Sequence, residues 1–196
     1  LILSFDGAGN DGQTILFQAK NNKIKYKKNY PTKFGQSYNN LGYIVGLKPD
    51  VAGSTAGKLM GLTSYGKLRQ EWLTNAKDYI IDYKKIYPKI PSNQLNNYGK
   101  FHIVNSKSFS KIEELKKYSS NINIFCSILE NLQIKHFPIK LNGDKDKLAQ
   151  DLAKTVQYAW TQEVLKIVDT WKEVSKNFCI VGGCALNGIT NYKIEQ

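Results

Sequence analysis

Apolar and polar positions along this chain keep two periods, and the change between them divides it. Residues 1–5 form an apolar run that reads as a buried strand. Residues 13–20 are rich in strand formers, Asn21–Asn22 offers a tight turn, and residues 23–29 alternate. The pattern predicts a three-stranded antiparallel meander ended by Pro31. The period then lengthens: Tyr38, Leu41, Ile44 and Val45 recur at helical spacing, predicting a helix over 35–47 with Ser37 placed to cap it. Residues 49–57 read as a loop. Residues 56–67 read as a structured glycine loop with a helical turn around 58–62. A helix over 70–86 is closed by Pro88 and Pro91.

Residues 92–144 are polar and Asn-rich, and read as an insertion or peripheral segment. A strand at 101–104 and short helices at 112–118 and 124–132 are expected there. The clearest helix covers 144–174. Leu148, Leu152, Val156, Ala159, Trp160, Leu165, Val168 and Trp171 mark one face, and Asp144 and Asp146 suit its positive N-terminus. Residues 178–181 read as a short buried strand. It stops at Gly182–Gly183, and residues 184–194 begin another helix. Residues 1–91 and 145–196 thus form one domain around the 92–144 segment. The element order predicts a mixed α/β sheet with flanking helices and an inserted helical segment, the skeleton of a ribonuclease-H-like (actin-like ATPase) half-domain.

Composition narrows the class. Of 196 residues, 41% are hydrophobic, which excludes a disordered chain. No apolar run approaches the roughly 18–20 residues needed to span a membrane. No basic leader precedes the first apolar residues, and the chain opens on Leu, so it is expected to be a piece of something longer. Cys126, Cys179 and Cys184 form no C-x-x-C pair and are expected to be buried, reduced thiols of a cytoplasmic protein. Trp72, Trp160 and Trp171 are expected in packing roles. The formal charge of +12 raises the question of nucleic acid. Yet Arg69 is the sole arginine among 28 basic residues, and specific recognition leans on the arginine fork. The cluster at 20–28 reads as lysines guarding an exposed edge strand against aggregation, so nucleic acid is not the expected partner.

Two glycine turns carry the candidate chemistry. Asp6-Gly7-Ala8-Gly9 ends the first strand, and Gly182-Gly183 ends the last before a helix. Glycines let backbone N–H groups approach a phosphate, and ligands of α/β sheets gather at strand ends. Taken alone, each turn is also an ordinary hairpin or strand-end turn.

In order, "SFDGAGNDGQT", "GKLMGLTSYG", "DLAKTVQYAWTQEVLKIV" and "FCIVGGCALNGITNYKI" resemble the O-carbamoyltransferases of the NodU/CmcH family, from the first residue to the last. The specific pieces are K-[LV]-M-G-L-x-x-Y-G at 58–66 and G-G-x-A-L-N-x-x-x-N at 182–191. Such enzymes are actin-like ATPase relatives and are similar to the metal-binding subunit of the tRNA threonylcarbamoyl-adenosine enzymes. The resemblance implies a carbamoyl-adenylate, made from carbamoyl phosphate and ATP in a separate domain, and carbamoyl transfer to a substrate hydroxyl. It also implies a divalent metal, often iron, with Asp6 as a ligand. Gly182, Gly183 and Asn187 would hold the nucleotide, Gly7 and Gly9 would line it, and Lys58 and Gly61 would face the same cleft.

Departures bear on activity. The family's H-x-x-x-H metal ligands precede its D-G strand, and this chain begins after that point. His102 and His136 are isolated and read as structural. A second family Asp and the adenylate-forming domain would follow residue 196. Ala56 stands where the family usually has Glu, which could hold a ribose hydroxyl. No catalytic base is identified. The piece alone is expected to be inactive. A nucleotide- or RNA-binding remnant and an actin-like phosphotransferase stay open as alternatives.

Overall fold

A computed structural model describes residues 1–7, 13–45, 47–52, 54–81 and 147–196. Gly9, Cys126, His102, His136, Asp144, Asp146 and the elements expected between 82 and 146 lie outside the described residues.

The strand pattern at the start of the chain forms the sheet. β1 (Ile2–Phe5), β2 (Thr14–Lys20) and β3 (Lys23–Tyr30) make the expected antiparallel meander. Asn21 and Asn22 sit at φ 51° and 57°. This is the left-handed pair that matches a two-residue turn to strand twist. β4 (Cys179–Val181) joins the other side of β1 in parallel, giving the order β3-β2-β1-β4. Period 2 sends Leu3, Phe5 and Leu16 to one face, where each is fully buried.

That face is covered by α1 (Phe34–Ile44) and α4 (Lys147–Trp171). At 25 residues, α4 runs about 37 Å. Trp160 is the keystone of the contact. Phe5 stacks on it at 5.9 Å, and Phe34 meets it edge-on at 5.4 Å. Its indole Nε1–H donates to the Phe34 carbonyl at 3.1 Å, so the buried ring keeps no unmet donor. Trp72 is also buried and Trp171 partly so, as expected. One core cluster draws on residues from both ends of the described chain.

Several expectations change. Ser37 is no helix cap: it lies inside α1, its N–H donating to the Lys33 carbonyl and its hydroxyl to that of Phe34. The glycine loop is chiefly helical, with α2 at Ala56–Leu62 and a 3₁₀ turn at Thr63–Tyr65. Leu59 and Leu62, one turn apart, reach the core and override the poor propensity of Gly57 and Gly61. The next helix opens with a 3₁₀ turn at Gln70–Trp72 before α3 (Leu73–Ile81). On α4, Leu165 is only half-buried, while Val164 and Ile167 are buried in its stead.

β4 is not a buried strand. Cys179 and Val181 pair in register with Ile2 and Ser4, so they share the face away from the helices and are exposed; only Ile180 turns toward the core. The expectation that every thiol is buried therefore fails at Cys179. After β4, a 3₁₀ turn at Gly183–Leu186 comes first, and α5 (Gly188–Glu195) follows.

Candidate functional site

Two distant parts of the chain meet at Asp6. The residue leaves β1, and its carboxylate accepts from the Gly7 N–H at 2.5 Å through Oδ1 and from the Gly183 N–H at 2.9 Å through Oδ2. One side chain thus ties the first strand end to the turn after β4. Gly182 has φ +95°, which L side chains rarely adopt. A Cβ there would also overlap the Phe5 carbonyl. On the other side, a Cβ on Gly35 would overlap the backbone of Asp6 and Gly7. The first turn of α1 is therefore pressed directly against the Asp6–Gly7 turn. Lys33, one residue ahead of α1, is buried.

The site is thus a junction of three backbones, with Asp6 partly exposed at its centre. Each Asp6 oxygen accepts one N–H and keeps a further lone pair. That geometry fits a carboxylate able to offer one oxygen to a hard divalent cation. Among the described residues, no group of three or more His, Cys, Asp or Glu side chains gathers.

Behind the glycine turn lies a neutral polar network. Asn187 caps α5, its Oδ1 accepting the Thr190 N–H at 3.1 Å. Its amide donates to Gln157 Oε1 at 3.0 Å, which also accepts the Tyr38 hydroxyl at 2.5 Å. Gln157 Nε2 lies 2.9 Å from Thr161 Oγ1 and 3.2 Å from Thr190 Oγ1. Tyr38, Gln157, Thr161, Asn187 and Thr190 are all buried. Burial pushes the Tyr38 phenol far above its usual range, so it stays protonated and donates. Cys184 packs beside them; burial, and then the charge of Asp6, push its thiol up to about 12. It is a neutral filler and no nucleophile at ordinary pH.

A second cluster holds the 63–69 loop. Asp151 on α4 is buried, and accepts the Lys67 N–H at 2.7 Å and Arg69 Nε–H at 2.7 Å. Arg69 Nη2 lies 2.6 Å from the same carboxylate, and Lys147 Nζ lies 3.4 Å away. Burial acts to raise the Asp151 pKa. The Lys67 N–H and the two cations outweigh it, and the carboxyl is held below its usual value. The one arginine of the chain is thus spent on fixing this loop.

The candidate residues fall into three groups. Asp6, Gly7, Gly182 and Gly183 come together. Asn187 adjoins them, but its amide is engaged inside the buried network. Lys58 and Gly61 lie on the exposed side of α2, where Lys58 Nζ donates to the Lys48 carbonyl at 3.0 Å. Among the described residues, no hydrogen bond joins either to the Asp6 turn. Ala56 starts α2 with its side chain packed toward the core. Sequence reasoning passed over Lys33, Asp151 and Gln157. For Asp151 the one local signal is its place at the edge of the apolar face, three residues after Leu148 and one before Leu152.

Compared with known protein families, the whole chain, residues 1–196, matches the carbamoyltransferase N-terminus. The chain belongs to the carbamoyltransferase N-terminal family. The comparison with curated proteins finds no match. Within this family member, among the described residues, no helix is long and apolar enough to cross a membrane.

Proposed function

We propose that this carbamoyltransferase N-terminal chain is part of an enzyme that moves a carbamoyl group from carbamoyl-adenylate to a substrate hydroxyl. The adenylate would come from carbamoyl phosphate and ATP in a separate domain. In the same reading, the sheet and its helices are a ribonuclease-H-like half-domain, and the protein works in the cytoplasm. The observation that supports it beyond family membership is the meeting of Asp6 with Gly183 at the ends of two neighbouring strands of one sheet.

Each residue then has a physical task. Asp6 offers a carboxylate oxygen toward a divalent metal, and its bonds to two N–H groups hold that oxygen in a fixed direction. The metal, iron by resemblance, would polarise the carbamoyl carbonyl. Gly182 and Gly183 present a side-chain-free backbone where a nucleotide phosphate can approach. Asn187, through α5, fixes the distance of that backbone from α4. In the proposal the adenylate is made in a separate domain, so this chain alone does not complete the transfer.

The experiment uses the longest natural form of the protein, titrated with Fe²⁺ or Mn²⁺ and then with ATP. Asp6→Asn keeps the side-chain shape and one acceptor. We expect divalent binding to weaken by roughly tenfold or more while the melting temperature falls by only a few degrees, the scale of one lost charged hydrogen bond. Unchanged metal binding in that variant would sink the assignment of Asp6. Gly183→Val should lose carbamoyl transfer, and because a Cβ there comes within 3.1 Å of Asp6 Oδ1 its metal binding should weaken as well.

A further inference from the structure

Among the described residues β3 is the outermost strand of the sheet, and its residues 23–29 are exposed on both faces. Its register with β2 sorts them. Lys23 lies opposite Lys20 and Lys25 opposite Gln18, so one face carries three lysines. Ile24 lies opposite Ala19 and Tyr26 opposite Phe17, so the other face is apolar. The Phe17 and Tyr26 rings meet edge-on at 6.4 Å. Lys27 has no partner in the register, so a bulge closes the regular segment at residue 26.

Edge lysines alone would be explained as guards against aggregation. Two features exceed that explanation. Ile24 is 67% and Tyr26 60% exposed on the opposite face. A guard strand gains nothing there from large apolar groups. Lys20 and Lys23 sit directly opposite one another, a like-charge pair that weakens the hairpin. Among the described residues, no ion pair engages Lys20, Lys23 or Lys25.

We propose that the outer edge of β3 over residues 23–26 docks an extended peptide in which carboxylate and apolar side chains alternate. Added as a further strand, such a segment meets the outward backbone N–H and C=O groups of β3. Its carboxylates fall beside Lys23 and Lys25 and relieve the repulsion, while its apolar side chains cover Ile24 and Tyr26. A second copy of β3 fits poorly, because lysines would face lysines. A nucleic acid would use the lysine face and leave Ile24 and Tyr26 bare. This surface lies on the opposite side of the sheet order from β4 and does not depend on the proposed chemistry at Asp6.

The test is fluorescence anisotropy with the full 196-residue chain and three probes: labelled Glu-Val-Glu-Val-Glu-Val, its block isomer Glu-Glu-Glu-Val-Val-Val, and poly-U RNA. The alternating peptide is expected to bind roughly tenfold tighter than the block isomer, as several favourable cross-strand pairs together predict. Alternate backbone N-methylation of the peptide should abolish binding. Lys23→Glu with Lys25→Glu should transfer the preference to Lys-Val-Lys-Val-Lys-Val; should that double variant fail to fold by circular dichroism, Lys23→Gln with Lys25→Gln should lose the alternating peptide. Equal binding of the two isomers, or tighter binding of poly-U than of either, overturns the proposal in favour of a plain electrostatic surface.

Discussion

Asp151 and Gln157 are both polar, both on α4, and both almost wholly buried, yet they hold neighbouring loops by opposite means. Asp151 is a charge satisfied by two cations, Arg69 and Lys147, whose own side chains are 42% and 55% exposed. Gln157 is an amide satisfied by four neutral side chains, each of them buried. The first clamps the loop that follows α2; the second fixes α5 behind the Asp6 junction. A carboxylate anchor needs the right pH and weakens as its partners are screened. An amide anchor is indifferent to both. The neutral device thus stands behind the candidate site, and the charged one stands at the periphery.

Breaking the neutral anchor should cost most. Gln157→Leu removes the buried oxygen that accepts both the Asn187 amide and the Tyr38 hydroxyl, while Thr161 and Thr190 keep only each other at 2.8 Å. We expect a loss of about 3 kcal/mol in urea unfolding, unchanged by moderate salt. Gln157→Glu sharpens the contrast, because it puts a carboxylate in the same place with no cation to meet it. Burial then raises its folded pKa above the unfolded value. That variant should be least harmed at low pH and lose stability as pH rises through the raised value. A flat pH profile for Gln157→Glu would count against the network being closed to water.

The charged anchor should show the opposite slope. The Asp151 pKa is lowered in the fold, so its stabilisation is present above the ordinary carboxylate value, about 4. It is lost as pH falls from there through the lowered folded value. Asp151→Asn should remove about 2 kcal/mol near neutral pH, and its deficit should shrink as pH drops toward that range. Chemical unfolding of both proteins between roughly pH 2.5 and 7 measures the convergence. A deficit constant across the range would mean that the carboxylate charge is not what holds the loop.

What could be read in advance follows the range of the interactions involved. The hairpin was legible because Asn21–Asn22 and the alternation around it are local facts. The long helix was legible because its apolar face repeats. α2 was not, since Gly57 and Gly61 argue against a helix and only the reach of Leu59 and Leu62 into the core decides for one. β4 is legible as a strand but not as an exposed one, because a short apolar run looks alike in a central and an edge strand. At the candidate site, Asp6 and Gly183 were flagged separately as strand-end turns, but their contact joins residues 177 positions apart. Gln157 left no trace at all. Nothing local distinguishes it from Gln150 or Gln162, and its partners lie on α1 and α5 as well as on its own helix.

The smallest effect tests how far the charged anchor depends on its exposed members. Lys147 Nζ lies 3.4 Å from Asp151 and donates to the Tyr65 carbonyl at 2.8 Å, from a side chain that is more than half exposed. Water and salt already share that charge, so Lys147→Gln should cost about 0.5 kcal/mol or less. The cost should vanish near 1 M salt, where the screening length falls to about 3 Å. Arg69→Gln removes two charged N–H donors that converge on Asp151 Oδ2 and should cost more. A residue of that loss should survive salt, because Arg69 Nε–H also satisfies a carboxylate that is otherwise closed off. If both substitutions respond to salt alike, Asp151 is an ordinary surface ion pair. Its contrast with Gln157 would then reduce to exposure alone.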